Sequence, residues 1–227
     1  MQLLRSIFSH QSLRTLPNRR RAFTLVELIV TVSIFAFITS LVISKYGNFN
    51  QNVLLTNLAY DMALTVRTAQ TFGVSVKTTD SIGNNCYMSS NPFQCVYGIH
   101  FDSQINTGFI LYSVPIAIKN IYHYQGQPYD INKYTLKSGV ISNIYTCTNS
   151  SNSLTPDTNP NCTAMVSGSS IDIYFKRPDS SSHICRVISD VENCTWSSAY
   201  IKIGNSNNPT NYRWVVVFQN GQISVQD

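Results

Sequence analysis

The residue with the most demanding chemistry in this 227-residue chain is Glu27, because it sits inside a run that is otherwise compatible with lipid. From Phe23 to Ile43 no other side chain is ionisable. A carboxylate within a membrane-spanning helix costs about 2.5–3.5 kcal/mol even on lenient insertion scales, so it must protonate or meet a cation. The cysteines form the second chemical group. All six lie between Cys86 and Cys194 and fall in linear order as three local pairs: Cys86 with Cys95, Cys147 with Cys162, and Cys185 with Cys194. Six cysteines admit fifteen connectivities, so order alone does not select one. No Cys-x-x-Cys is present, and His10, His100, His123 and His183 have no ligand spacing, so disulfides in an oxidising compartment are expected rather than a zinc site or any other cofactor. A nucleotide-binding loop, a Gly-x-Ser-x-Gly elbow and a Walker-type lysine are also missing, so the chain is not expected to be an enzyme.

The elements that must position these groups follow from patterning. A helix over residues 23–43 would be about 32 Å long, enough to cross a bilayer's hydrocarbon core. Arg19, Arg20 and Arg21 stand immediately before it and mark its cytoplasmic end, which places everything after Ile43 across the membrane. The formal charge of +5 is misleading, because five of the sixteen bases are arginines within Met1 to Ala22, a stretch with no acid. The remainder has eleven bases against eleven acids, so the basic balance reports orientation and not a nucleic-acid-binding surface.

Beyond the apolar run, Leu55, Leu58, Ala59, Met62, Val66 and Ala69 recur at the spacing of one helical stripe. The helix is therefore expected to continue over residues 44–73, ending near Thr71 with Gly73 as its stop and loosened at Gly47-Asn48. Val53 and Leu64 lie roughly opposite the stripe. After Val74 the period becomes two. Residues 108–114, 116–124, 140–146, 170–175, 196–203 and 212–218 are rich in β-branched and aromatic types, separated by turn-rich stretches such as Asn149 to Asn161. Asn220-Gly221 predicts a type I′ hairpin. Neither a repeat nor an internal boundary divides residues 74–227, which read as one β-rich globular head. The fold class expected is α+β, with a long N-terminal helix, transmembrane and then amphipathic, packed on a C-terminal antiparallel β-rich head.

Ala22-Phe23-Thr24-Leu25-Val26-Glu27, behind a basic leader and before a full-length apolar run, resembles the processing site of type IV prepilins and type II secretion pseudopilins. That resemblance implies a leader of residues 1–22, removed by a prepilin peptidase between Ala22 and Phe23, followed by N-methylation of Phe23. It also implies that Glu27 pairs with the terminal amine of a neighbouring subunit during assembly. The residue before the cut is usually Gly in the family and is Ala22 here, small in both cases. The order of long helix, β head and final hairpin is most similar to the GspH/FimT-type minor pseudopilins, with Tyr212 to Phe218 through Gly221 to Val225 resembling their last two strands.

The resemblance implies a single-pass subunit of the inner membrane, its head on the periplasmic or extracellular side, that enters a type IV pilus or a type II secretion pseudopilus. Its partners would be other pilin or pseudopilin subunits, the prepilin peptidase and the membrane. DNA-uptake members of the group carry Gly-Arg-x-Arg in the final segment. The corresponding Gly221-Gln222-Ile223-Ser224 has no cation, and phosphate neutralisation drives non-specific DNA binding, so nucleic acid is not an expected partner. Two alternatives stand beside this reading: a DNA-binding minor pilin, and a signal-anchored exported binding protein that keeps residues 1–22. The second explains the arginines and the apolar run but not the offset of Glu27 from Phe23.

Overall fold

A computed structural model describes residues 23–75, 95–115, 122–126, 130–137, 139–149, 155–205 and 208–226. The fold is α+β, and the chain divides at Tyr46/Gly47 into two compact units. Among the described residues there is one helix, α1 (Leu25–Val74), which begins in the first and ends in the second. Its start is set by Thr24, whose Oγ1 accepts the Glu27 amide at 3.2 Å while its carbonyl accepts the Leu28 amide. That is N-cap geometry, satisfying donors that the first turn leaves without a helical partner. The helix runs through Gly47-Asn48 without the expected break.

The far end also departs from expectation. The helix ends at Val74, and Gly73 lies within it. A Cβ on Gly73 would come within 2.6 Å of the Phe175 Cβ and 2.9 Å of its carbonyl oxygen, so glycine serves close packing there and not chain reversal.

In the second unit the described residues form eleven strands in two antiparallel sheets. Sheet A has the order β3 (Asp130–Thr135), β2 (Gly108–Pro115), β1 (Cys95–Asp102), β6 (Ser169–Lys176), β7 (Ser182–Ile188), β8 (Val191–Trp196). Sheet B has the order β11 (Ile223–Gln226), β10 (Asn208–Phe218), β9 (Ser198–Asn205), β4 (Val140–Cys147), β5 (Cys162–Ala164). One core joins them. Leu55, Ala59, Met62, Val66 and Ala69 of α1, all buried, cluster with Ile99, Phe101, Ile171, Ile173 and Phe175 of sheet A and with Ile144, Ile201, Ile203, Val215 and Val217 of sheet B. Leu58 packs at its margin. Alternating strand residues supply this shared core because successive side chains leave a strand on opposite faces.

The other faces are not simply solvated. On sheet A, Val96, Tyr112, Val114, Tyr174 and Cys185 form a second apolar layer against Tyr122 and Tyr124. On sheet B, Tyr200, Trp214 and Val216 do the same with Tyr145, Tyr212 and Phe218. The strand expected over 116–124 is corrected in the part that is described: Tyr122 to Tyr124 is irregular chain lying on sheet A, and residues 116–121 fall outside the described residues.

The final hairpin differs in kind. Gly221 has φ +83°, Asn220 is not among the described residues with positive φ, and the Gly221 amide donates to the Phe218 carbonyl while the Phe218 amide donates to that of Gln222. This is a three-residue loop with glycine in the left-handed position, whereas type I′ needs positive φ at both central residues. That condition is met instead at Ser189 (φ 49°) and Asp190 (φ 63°), which link Ile188 to Val191 across the β7–β8 hairpin.

Candidate functional site

The N-terminal site is built by the start of α1. Phe23 lies just outside the helix and is 76% exposed, and Glu27 occupies the first turn. Thr24-Leu25-Val26-Glu27 has the spacing of a capping box, with the Thr24 half formed. The sequence reading assigned no role to Thr24, although Thr three residues before Glu is a visible start signal. Among the described residues the Glu27 carboxylate has no hydrogen-bond or ion-pair partner. Ala22 lies outside them.

From Leu25 to Ser44 the helix has a mean hydropathy of 2.4 over 20 residues, and none of it is buried by protein. Three of its hydroxyls are turned inward on the backbone: Thr31 Oγ1 donates to the Leu28 carbonyl at 2.8 Å, Ser33 Oγ to that of Ile29 at 2.7 Å, and Thr39 Oγ1 to that of Phe35 at 2.7 Å. A polar side chain bonded to its own helix presents little unsatisfied polarity to lipid. Glu27 is the one charged residue within the segment.

The described cysteines are bridged. Cys147–Cys162 joins directly opposed residues of β4 and β5 with Cα atoms 4.0 Å apart, and Cys185–Cys194 joins β7 to β8 at 4.1 Å. Cys95 is also disulfide-bonded, while Cys86 lies outside the described residues. Among the described residues the one cluster of metal-type ligand atoms is Cys185, Glu192 and Cys194. With both sulfurs in a disulfide, only one carboxylate remains there as an anionic donor, too few to hold a metal.

Several of the head's charges are engaged. Lys202 Nζ meets Asp157 Oδ2 at 2.9 Å and lies 4.2 Å from the Tyr212 ring centre. Burial alone would raise Asp157, but the hydrogen bonds from Tyr145 and Lys202 outweigh it and hold the carboxyl below its ordinary value. Burial in turn pushes Tyr145 up to about 12, with Asp157 reinforcing the shift. Arg186 is buried, donates to Thr146 Oγ1 and the Thr163 carbonyl, and lies over Trp196, and burial lowers it.

Two histidine–carboxylate pairs lie on the outer side of sheet A. His100 Nδ1 is 2.8 Å from Asp172 Oδ1, and His123 Nδ1 is 3.4 Å from Glu192 Oε2. Sequence reading had no route to the first pair, whose members are 72 positions apart and meet only because β1 and β6 align them.

His183, stacked on Tyr174 at 5.0 Å, is held below its ordinary value of 6.5 by burial first and by the charge of Lys176 second, against the opposing influence of Asp179 and Glu192. The folded head therefore binds this proton less readily than the unfolded chain. A depressed histidine contributes stability that is present above the unfolded value and lost as pH falls toward the folded one. The thermal midpoint should thus climb as pH rises toward the ordinary histidine value of 6.5, and His183→Gln should flatten the climb. An identical slope in the variant would contradict this assignment.

Residues 17–43 match the family described as the prokaryotic N-terminal methylation motif. Neither the curated proteins nor the solved structures gave a match to the chain. The motif supports the type IV pilin and pseudopilin family, and with the apolar helix that follows it fits a membrane-anchored, single-pass protein.

Proposed function

We propose that the chain is a minor pilin or pseudopilin of the GspH/FimT type, a structural subunit that is stored in the inner membrane by residues 23–43 and later assembles into a type IV pilus or a type II secretion pseudopilus. The observation that carries this reading is the methylation motif over 17–43, in which Phe23 precedes Glu27 at the offset assembly requires and a lipid-compatible helix follows at once. The role is non-enzymatic. Glu27 pairs with the terminal amine of a neighbour, the prepilin peptidase creates that amine at Phe23, and the head makes the outer contacts.

A second feature supports the reading. Val53, Tyr60 and Leu64 are 40%, 60% and 65% exposed and stand at offsets of 0, 7 and 11 on α1, away from the buried stripe. An apolar line on the outside of a helix that already covers its own head suits packing against other subunits.

Cleavage should fall between Ala22 and Phe23. Intact mass and N-terminal sequencing of membrane-extracted protein should give a chain that begins at methylated Phe23. Recovery of only the full-length species from cells that contain the peptidase would overturn the proposal in favour of a signal anchor.

A further inference from the structure

On the outer face of sheet A, a cavity of about 310 Å³ opens between β1, β2 and β3. Its size lies at the lower end of the range of about 300–1,000 Å³ typical for small-molecule sites. His100 forms part of its wall and is nine-tenths buried. The ring is fixed from two sides. Nδ1 is taken by Asp172, whose side chain is wholly buried, and Tyr124 lies against the ring at 4.3 Å between centres. Nε2 has no partner among the described residues, yet it is not one of the atoms sealed from solvent. An imidazole held by a buried carboxylate with its other nitrogen accessible is an oriented binding group, because the loss of side-chain freedom has already been incurred on folding.

The same cavity holds one carboxylate and one ammonium. Asp102 faces it from β1, two residues from His100, and Lys133 from β3. No ion pair joins them. One oxygen of Asp102 accepts the Gln104 amide at 2.8 Å, which leaves the other free. Thr107 and Thr135 add hydroxyls, and Ile110 adds an apolar surface.

We propose that this cavity binds a single sugar unit, a neutral polyhydroxylated ring, through His100 Nε2 and the free oxygen of Asp102. The mixture of groups selects that chemistry. A ligand with net charge would be attracted by one of Asp102 and Lys133 and repelled by the other. A hydroxyl both donates and accepts, so neighbouring hydroxyls can satisfy a carboxylate, an imidazole and an ammonium at once. All three groups stand on paired strands, which fixes their spacing. This inference is independent of the filament reading.

The test uses the full chain in phospholipid nanodiscs, since sugar-headed detergents would compete. Saturation-transfer NMR and calorimetry would be run against glucose, galactose, mannose and N-acetylglucosamine, with glycine and alanine as zwitterions of similar polarity. At least one sugar should bind saturably, with a Kd of roughly millimolar order, as a small polar contact set gives. Asp102→Asn keeps the acceptor for the Gln104 amide and should weaken that binding about tenfold or more without moving the thermal midpoint. His100→Gln should abolish it, and because that variant also disturbs Asp172, the Asp102→Asn result is the deciding one. Absence of saturable binding by every sugar, binding unchanged in Asp102→Asn, or preference for the amino acids would each overturn the proposal.

Discussion

Glu27→Leu should enter the membrane, lose its leader and fold its head as the wild type does, yet be recovered in sheared filaments at less than about one-tenth of the wild-type level. Leucine removes the single ionisable group from an apolar segment, so insertion should become easier. The cost arises on assembly. In a low-dielectric filament core the amine of Phe23 would be left without its counter-charge, and stranding one partner of a buried ion pair costs about 3–5 kcal/mol. Desolvation of both charges would offset much of their attraction, so the proposed pair would set register between subunits more than add net stability. Glu27→Gln, which keeps a polar group at the same reach, should fall between the two. Quantitative mass spectrometry of filament and membrane fractions measures the ratio. Equal incorporation of the leucine variant would make Glu27 a capping residue of α1 and nothing more, a role that its position three residues after Thr24 already permits.

Met62→Ala should destabilise the head by about 2–5 kcal/mol, while Leu64→Ala, two positions away, should stay within about 0.5 kcal/mol of wild type. Met62 is 1% exposed at the centre of the cluster that joins α1 to both sheets, and Leu64 is 65% exposed on the opposite side of the helix. Truncating the first removes apolar contacts and leaves a cavity that three elements border, so collapse from one side cannot fill it. The expected fall in thermal midpoint is about 10 °C for a head of this size. The converse holds in assembly: Leu64→Ala, harmless to folding, should lower incorporation if its stripe packs against other subunits. Thermal unfolding followed by circular dichroism separates the two, and equal midpoints would mean that α1 is not part of the core.

The stripe from Leu55 to Ala69 was legible because a helix with one covered face keeps a period that sequence displays directly. Strands β2, β4, β6, β9 and β10 were legible from β-branched and aromatic density. Strand β1 was not. Val96, Tyr97, Gly98, Ile99, His100 and Phe101 are all buried, with core on one face and the tyrosine layer on the other, so the alternation that marks a half-solvated strand is absent. Strand β8 failed for the opposite reason: Val191-Glu192-Asn193-Cys194-Thr195-Trp196 is largely exposed and offers no apolar period. The turn at Ser189-Asp190 lacks the Asn-Gly signature and was invisible, while Asn220-Gly221 carries the signature and adopts another loop, because loop length and flanking register decide the turn type. The N-terminal site was legible as a motif because its residues are contiguous. The cavity beside His100 was not, since it depends on which strands become neighbours.

The two bridges between described cysteines share a placement: Cys147–Cys162 fastens β5, the last strand of sheet B, and Cys185–Cys194 fastens β8, the last strand of sheet A. On β8 the Asn193 side chain also takes the Thr195 amide at 3.2 Å, using up a donor that an incoming strand would need. Thiols stay reduced in the cytosol, so on the proposed reading, with the head exported, these two margins are locked only after it has crossed the membrane. On that reading translocation is also a maturation step. Before it, β5 and β8 are held to their neighbours by ladder hydrogen bonds alone; after it, a covalent bond also holds each of these two borders, while β3 and β11, at the opposite borders, contain no cysteine.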